Sequence, residues 1–227
     1  MPRIARIVAA GYPHHISQRG NYQQKIFTFD TDRIKYLSLL KEESSRYHLI
    51  ILAYCLMSNH VHFMVVPQSE DSLGKVFKYT NMKYSQYYNN QMKVSGHLFQ
   101  GRFFSCILNE QHLIACARYI ERNPVRANLV KESYLWPYSS AKIHCGIDKY
   151  DPLGTNQLFA YIEKEPKEWK EFIEAPDHPD EMKGIREKTR TGRPLGPNDF
   201  IERLEGQLKR VLKLKPKGRP NNKKVDK

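Results

Sequence analysis

Acidic residues are scarce in this sequence compared with basic ones. The 227 residues include 37 Lys and Arg but only 24 Asp and Glu, which gives a formal net charge of +13 at pH 7. A protein that handles neutral substrates has no evident use for this excess, so a polyanionic partner is the simplest explanation. The sequence also holds 14 Tyr and 10 Phe, and aromatic rings among basic residues suit the stacking of unpaired bases better than membrane binding. The composition therefore favours a nucleic acid as the partner.

Cysteines and long apolar runs are also sparse. Cys55, Cys106, Cys116 and Cys145 are widely spaced and form no Cys-x-x-Cys pattern, which argues against a zinc finger and a disulfide framework. The longest apolar run, residues 49–57, falls well short of the roughly 20 residues that span a membrane. The first residues do not have the pattern of a secretion signal. We therefore expect a cytoplasmic protein without a membrane partner.

Two histidines, His60 and His62, lie two residues apart in a segment, 54–67, that is typical of two short strands. Residues i and i+2 of a strand point to the same face, so both imidazoles can reach one metal ion. A single His-x-His pattern is weak evidence, because most such pairs are structural or merely exposed.

Hydrophobic periodicity and turn residues predict strands and helices in a regular order. The predicted strands are 12–19, 47–57, 60–66 and 103–108, and the predicted helices are 31–45, 72–88 and 111–123. The last helix should end at about Asn123, because Pro124 disfavours helical geometry in the residue before it. These elements predict an α+β fold in which helices pack on antiparallel strands.

Tyr119 and Asn123 lie four residues apart on the last predicted helix and thus on one helical face. A phenol with a pKa of about 10 is a weak nucleophile at neutral pH and needs a strongly polarised centre to attack. A phosphodiester held by a divalent cation is such a centre. Two imidazoles and a carboxamide oxygen would leave metal positions open for the phosphate. Tyr119 could instead be a core aromatic residue, and Asn123 could serve only as a helix C-terminal residue.

These motifs together resemble the HUH single-tyrosine (Y1) transposase family, and in particular its REP-associated tyrosine transposase branch. The resemblance runs from about residue 12 to residue 140 and rests on four segments, namely 56–62, 99–103, 118–127 and 136–140. It implies a ferredoxin-like antiparallel sheet with packed helices. It also implies that His60, His62 and Asn123 bind Mg²⁺ or Mn²⁺ and that Tyr119 is the nucleophile. Insertion-sequence relatives often carry Gln where this chain has Asn123, which makes Asn123 the weakest assignment.

The resemblance implies cleavage of single-stranded DNA, often beside a hairpin, with a 5′-phosphotyrosine intermediate and resealing by transesterification. It leaves the choice between monomer and homodimer open. Two alternative functions remain: a non-catalytic DNA- or RNA-binding module derived from a transposase, and a replication or conjugation initiator that nicks DNA. A zinc hydrolase is disfavoured, because Phe63 and Met64 stand where a further Asp or His would be expected.

Further DNA contacts are expected from arginines, whose planar guanidinium groups match phosphate geometry, and from a few other polar residues. The candidates are Arg19, Gln100, Arg102, Arg122, Arg126, Arg193, Lys209, Arg210 and Arg219. The predicted organisation is a transposase domain at 1–145, a helical extension without recognisable chemistry at 146–190, and a basic helix and tail at 191–227. The tail should bind DNA phosphates, either nonspecifically or with Arg219 as a minor-groove hook.

Overall fold

Four short strands, two of them almost continuously apolar, form one antiparallel sheet in the computed structural model, which describes residues 6–213. The strands are His14–Arg19 (β1), Leu49–Leu56 (β2), His60–Pro67 (β3) and Phe104–Ile107 (β4). The helices are Asp30–Arg46 (α1), Ser72–Met92 (α2), Glu110–Glu121 (α3), Asn123–Arg126 (α4), Ala141–His144 (α5), Pro166–Glu174 (α6), Pro179–Thr191 (α7) and Asn198–Leu208 (α8). Short 3₁₀ segments lie at Asn21–Gln23, Ser133–Leu135 and Thr155–Ala160.

The order of the strands across the sheet is β2-β3-β1-β4, and each neighbouring pair is antiparallel. The chain order β1-α1-β2-β3-α2-β4 with this arrangement is the ferredoxin-like topology. The predicted fold class is therefore confirmed. The strand with the two histidines, β3, occupies an interior position between β2 and β1, which holds its side chains rigidly.

The two faces of the sheet are covered by different helices. Helices α1 and α2 pack on one face, where Tyr36 and Phe77 meet Phe63 of β3. Helix α3 packs on the other face, where Ile120 joins Met64 of β3 in a second core. Because side chains alternate along a strand, His60 and His62 share the face of Met64 and point toward α3. This arrangement places the candidate ligands opposite the helix that carries Tyr119.

Two of the helices after residue 146, α6 and α7, also cover the face on which α3 lies. Trp169 and Ile173 of α6 and Ile185 of α7 are buried in the same core as α3. Leu195 pairs with Leu108 at the free edge of β4 through a parallel bridge. The extension thus completes the cover over the candidate site, whereas the division of the chain into three domains remains a prediction.

Several predicted boundaries differ from the observed ones for local backbone reasons. The strand β2 begins two residues later than predicted, because His48 adopts a left-handed φ of 52° after the end of α1. Helix α2 continues beyond residue 88 to Met92 and ends where Lys93 adopts a left-handed φ of 54°. Helix α3 ends at Glu121, and Asn123 begins the short helix α4 with Pro124 in its first turn.

Candidate active site

The imidazoles of His60 and His62 lie side by side on the sheet face that α3 covers. Their ring centroids are 5.1 Å apart and the ring planes are nearly perpendicular. His62 is 6% exposed, whereas His60 is intermediate. The strand thus brings both rings together as its alternation predicts.

Tyr119 lies on α3 directly opposite His62. The apolar residues of α3 anchor it to the sheet and so fix the side of the helix that Tyr119 occupies. The Tyr119 ring meets the ring of His62 edge to face, at a centroid distance of 5.7 Å. Only 8% of Tyr119 is exposed, and its hydroxyl makes no hydrogen bond to another residue of the described part of the chain. The hydroxyl is therefore not tied to a structural partner.

Two asparagines flank His60. The Nδ1 atom of His60 lies 2.6 Å from the side-chain oxygen of Asn59. Because that oxygen can only accept, Nδ1 carries the proton and the lone pair of Nε2 is free. The Asn123 side chain lies within hydrogen-bonding reach of His60, and its Nδ2 atom is buried without a partner. Asn59, the residue directly before His60, thus sets the tautomer of His60.

A third imidazole, His15 of β1, completes the cluster. Its Nε2 atom lies 2.9 Å from Nδ1 of His62, and the two rings stack with centroids 5.1 Å apart. Its Nδ1 atom lies 2.7 Å from the hydroxyl oxygen of Thr189 in α7. The sequence gave His15 no distinct role, and nothing in it marked Thr189, because the β1–β3 register and the docking of α7 bring these residues together.

Burial keeps the three imidazoles neutral. It lowers the pKa of His15 to about 3. Burial and the nearby charge of Arg19 lower the pKa of His60 to about 4, against the opposing contact with Asn123. Burial, with smaller contributions from His15 and His60, also places the pKa of His62 well below its ordinary value. Since metal ions bind neutral imidazole, the candidate ligands are in the required protonation state near neutral pH.

Two arginines lie over the ring of Tyr119. The guanidinium carbon of Arg126 is 4.4 Å from the ring centroid, and that of Arg186 in α7 is 5.9 Å away. Arg126 also donates to the main-chain oxygen of Tyr119 and pairs with Asp177 at 3.6 Å. Burial lowers the pKa of Arg126 from its ordinary value, but a guanidinium remains charged at neutral pH. A fixed positive charge therefore stands beside the candidate nucleophile.

The residues present fit a divalent cation held by His60, His62 and Asn123. Within residues 6–213, no three His, Cys, Asp or Glu side chains are grouped so as to hold a metal ion, and both nitrogens of His15 are already bonded. A third donor from this site would therefore be an oxygen of another kind. The amide oxygen of Asn123, whose side chain lies beside His60, is the candidate, and two imidazoles with one amide would leave coordination positions open.

Three of the residues predicted to contact DNA lie at or near the end of β1, on the protein surface. Arg19 stands opposite His60 in the β1–β3 register, on the face of the candidate site. Gln100 donates its main-chain N–H to the carbonyl oxygen of Arg19 at 2.9 Å, and the side chains of Arg19, Gln100 and Arg102 are exposed. A cavity of about 580 Å³ on the other face is lined by Arg6, Lys78 and Arg102.

The structure places the remaining predicted contacts differently. Arg122 is 8% exposed and lies 3.1 Å from Asp177, so its charge is used inside the protein and we do not propose it as a DNA contact. Arg193 donates to the main-chain oxygen of Leu212 at 2.5 Å. Lys209 is exposed and Arg210 is intermediate. Arg219 lies outside the described residues.

A buried polar network anchors α3 two residues after Tyr119. The carboxylate of Glu121 is fully buried and accepts from Ser140, from Nδ1 of His144 at 2.5 Å and from Nε1 of Trp169 at 2.9 Å. Burial alone would lower the pKa of His144, but the Glu121 carboxylate raises it overall. This network ties α3 to α5 and α6 and was not foreseen from the sequence.

The ferredoxin-like sheet, with a tyrosine on one helix facing two histidines on one strand, defines the class of protein that the sequence motifs resemble. Comparison with known families agrees. The family model "Transposase IS200 like" matches residues 10–123, about half of the chain. The chain therefore belongs to the IS200-like transposases, the single-tyrosine family, whose members act in DNA transposition.

Solved structures are similar to this chain at low sequence identity. The structure of a REP-associated tyrosine transposase bound to a REP hairpin is 17% identical, with a TM-score of 0.54 over 67% of this chain and 90% of that one. This likeness concerns the fold. A candidate transposase from Deinococcus radiodurans R1 is 16% identical, with a TM-score of 0.38 over 54% of this chain and 97% of that one. No curated protein matches the chain.

The length and composition of a helix decide whether it can cross a membrane. Among residues 6–213, no helix combines the length and the apolar character that crossing a membrane requires.

Proposed function

We propose that this transposase cleaves single-stranded DNA and transfers the cut strand through a covalent 5′-phosphotyrosine intermediate formed on Tyr119. The observation that carries the proposal is the position of the Tyr119 ring, 5.7 Å from the ring of His62 and on the face that His60 shares. A tyrosine with an unbonded hydroxyl beside two neutral imidazoles suits attack on a phosphodiester better than it suits a purely structural role.

The reaction balances with the groups present and the DNA alone. The Tyr119 oxygen forms a bond to phosphorus as the bond from phosphorus to the 3′ oxygen breaks. The phenol loses its proton, and the departing 3′ oxygen gains one. Attack by a 3′-hydroxyl of another strand reverses these changes and releases Tyr119, so no external energy source is needed. Arg126, whose guanidinium lies over the Tyr119 ring, stabilises the negative charge that develops during the transfer.

His60, His62 and Asn123 would hold Mg²⁺ or Mn²⁺. When bound there, the divalent cation would polarise the phosphate and so favour attack by the Tyr119 oxygen. The protein's part is to present two neutral imidazoles whose orientation is already set, one of them by Asn59. Because the ligands come from a rigid strand and a helix end, little reorganisation is needed on binding.

The DNA substrate we propose is single-stranded or hairpin DNA of a repeated sequence, as for the REP-associated branch. Support comes from the motifs that resemble that branch and from an exposed cation beside the site. Arg19 lies on the face of the site, where it can contact the backbone of a strand that enters. Arg102 lines the cavity on the other face. The protein acts as a monomer or a homodimer.

The test is a denaturing-gel assay with labelled single-stranded hairpin DNA, with and without Mg²⁺ or Mn²⁺. Tyr119→Phe removes only the attacking oxygen, so the metal-dependent protein–DNA adduct should disappear while DNA binding remains. Tyr36→Phe, in the core on the other face, is the matched control and should leave the adduct intact. An adduct of normal yield with Tyr119→Phe would refute the assignment of the nucleophile. Tight DNA binding by the unmodified protein without any adduct would favour the non-catalytic binding module.

A further inference from the structure

Two consecutive hydrogen bonds connect helix α7, which lies after the sheet in the sequence, to the candidate metal site. The hydroxyl of Thr189 in α7 lies 2.7 Å from Nδ1 of His15, and Nε2 of His15 lies 2.9 Å from Nδ1 of His62. All three side chains are nearly fully buried. Water therefore cannot replace either partner, and each bond has a definite direction at any moment.

The direction of these bonds decides whether His62 can bind a metal. A neutral imidazole carries one proton, so one nitrogen donates and the other accepts. When Nδ1 of His62 donates to His15, Nε2 of His62 has a free lone pair for a metal. His15 then accepts at Nε2 and must donate from Nδ1 to the Thr189 oxygen. When the bonds run the other way, Nε2 of His62 carries the proton and cannot be a ligand.

We propose that His15 and Thr189 are positioning residues that hold His62 in the tautomer with the proton on Nδ1, so that Nε2 faces the metal position. This inference rests on the metal role of His62 in the proposed function. The hydroxyl of Thr189 can donate or accept, and in this tautomer its oxygen accepts the proton of Nδ1 of His15. Because His15 then carries its proton on Nδ1, its Nε2 atom accepts from Nδ1 of His62. His15 acts through this hydrogen bond and does not contact the substrate.

The proposal gives the extension a specific part in the site. Asn59 fixes His60 by a contact within the transposase domain itself, whereas the corresponding constraint on His62 ends on a helix that begins at Pro179. An outer partner of this kind commonly changes metal affinity tenfold or more when it is removed. Helix α7 is therefore expected to affect metal binding although it holds no ligand.

The test compares full-length proteins that differ in one hydroxyl. Thr189→Val keeps the shape but removes the acceptor, so we expect about tenfold weaker Mn²⁺ binding by electron paramagnetic resonance titration. Thr189→Ser restores a hydroxyl and should bind Mn²⁺ within about twofold of the unmodified protein. Thr191→Val is the matched control on the same helix, because the Thr191 hydroxyl bonds only main-chain oxygens of α7. It should leave Mn²⁺ affinity unchanged.

A second measurement reads the tautomer directly and does not need a metal. Nitrogen-15 NMR of histidine-labelled protein distinguishes a protonated Nδ1 from a protonated Nε2. We expect His62 to carry its proton on Nδ1 in the unmodified protein and to shift toward Nε2 in Thr189→Val. A protonated Nε2 in the unmodified protein with Mg²⁺ present, or no change of tautomer and affinity in Thr189→Val, would overturn the proposal.

The two proposals fail in different ways. If the unmodified protein binds no Mn²⁺, the metal role in the proposed function fails, while the NMR spectra still show whether Thr189 sets the tautomer of His62. If Thr189→Val does not fold, His15→Phe tests the same pair of hydrogen bonds. The phenylalanine ring has a similar shape but lacks the nitrogen that accepts from His62. His15→Phe should weaken Mn²⁺ binding to about the extent expected of Thr189→Val. Equal Mn²⁺ affinity of His15→Phe and the unmodified protein would contradict the proposal.

Discussion

Tyr119 is a mostly enclosed residue whose hydroxyl has no hydrogen-bond partner among residues 6–213, and its surroundings suit the proposed use of a phenol as nucleophile. The ring is held between His62 on the sheet and Arg126 in the short helix α4 that follows. The positive charge of Arg126 is itself positioned by Asp177. The candidate nucleophile, the arginine beside it and the candidate ligands thus lie within one small, largely buried volume, in which electrostatic interactions are stronger than in water.

Asn123 is the ligand assignment that most needs a test at this scale. Asn123→Ala removes the amide oxygen, and we expect Mn²⁺ affinity to fall about tenfold or more, with loss of adduct formation. Asn123→Asp keeps an oxygen donor and adds charge, so it should bind Mn²⁺ at least as well as the unmodified protein. The measurement is an electron paramagnetic resonance titration.

Asn90→Ala, at the exposed end of α2 on the other side of the sheet, is the matched control for this titration and should change nothing. Unchanged Mn²⁺ affinity in Asn123→Ala would leave only the two histidines as ligands from this chain and would reduce Asn123 to a residue of the helix end.

At the scale of elements, α3 depends on the buried carboxylate of Glu121 for its position. Glu121 accepts from three side chains on two other elements, so its loss would leave His144 and Trp169 without an acceptor. We expect Glu121→Gln to lower the free energy of unfolding by about 3 kcal/mol, since it leaves a buried charged or polar partner unpaired. Urea unfolding followed by circular dichroism measures this change.

Glu110→Gln provides the comparison for that variant. Glu110 begins the same helix but is exposed, so the same substitution there should cost less than about 1 kcal/mol. If Glu121→Gln were no more destabilising than Glu110→Gln, the network would not hold α3 in place.

The strand β3 shows what alternation can and cannot predict at this scale. The His-x-His spacing correctly indicated that both imidazoles share one face, because that follows from strand geometry alone. Which face, and which helix lies on it, follow from the sheet order β2-β3-β1-β4. The role of His15 depends on the register between β1 and β3, which the spacing within either strand does not determine.

At the scale of the whole molecule, the buried histidines couple stability to pH. Burial lowers the pKa of His14 and His60 to about 4 and that of His15 to about 3, and it also lowers that of His62. These groups take up protons in the unfolded chain at about pH 6.5 but not in the folded protein. Their stabilising contribution is therefore complete above pH 6.5 and is lost as the pH falls toward 4.

His144 acts in the opposite direction, because its pKa is raised in the folded protein, but it is one group against four. We expect the free energy of unfolding to fall as the pH is lowered from 6.5 to 5, by at most about 1.4 kcal/mol per pH unit for each imidazole that stays neutral in the folded protein. Urea unfolding at several pH values measures the slope. An unfolding free energy that stays constant over this range would contradict the neutral burial of the cluster.

The net positive charge is a property of the whole molecule, and it predicts salt-dependent DNA binding. Residues 214–227 add Lys215, Lys217, Arg219, Lys223, Lys224 and Lys227 against the single acid Asp226. Deleting them should weaken binding to single-stranded DNA and flatten the log-log dependence of affinity on salt, by roughly 0.7 for each lost phosphate contact. Fluorescence anisotropy across a salt series measures the slope. A slope that does not change would show that this segment serves another purpose.

The sequence by itself determined the ferredoxin-like order of elements, the shared face of His60 and His62, and the place of Tyr119 four residues before Asn123. These features depend on local periodicity and on motifs that are close in the chain. The tertiary structure decided that Arg122 is used inside the protein, that Glu121 anchors α3, and that His15 and Thr189 join the site. The two contacts of His15 join residues 47 and 174 positions apart in the chain, and only strand register and helix docking bring such residues together.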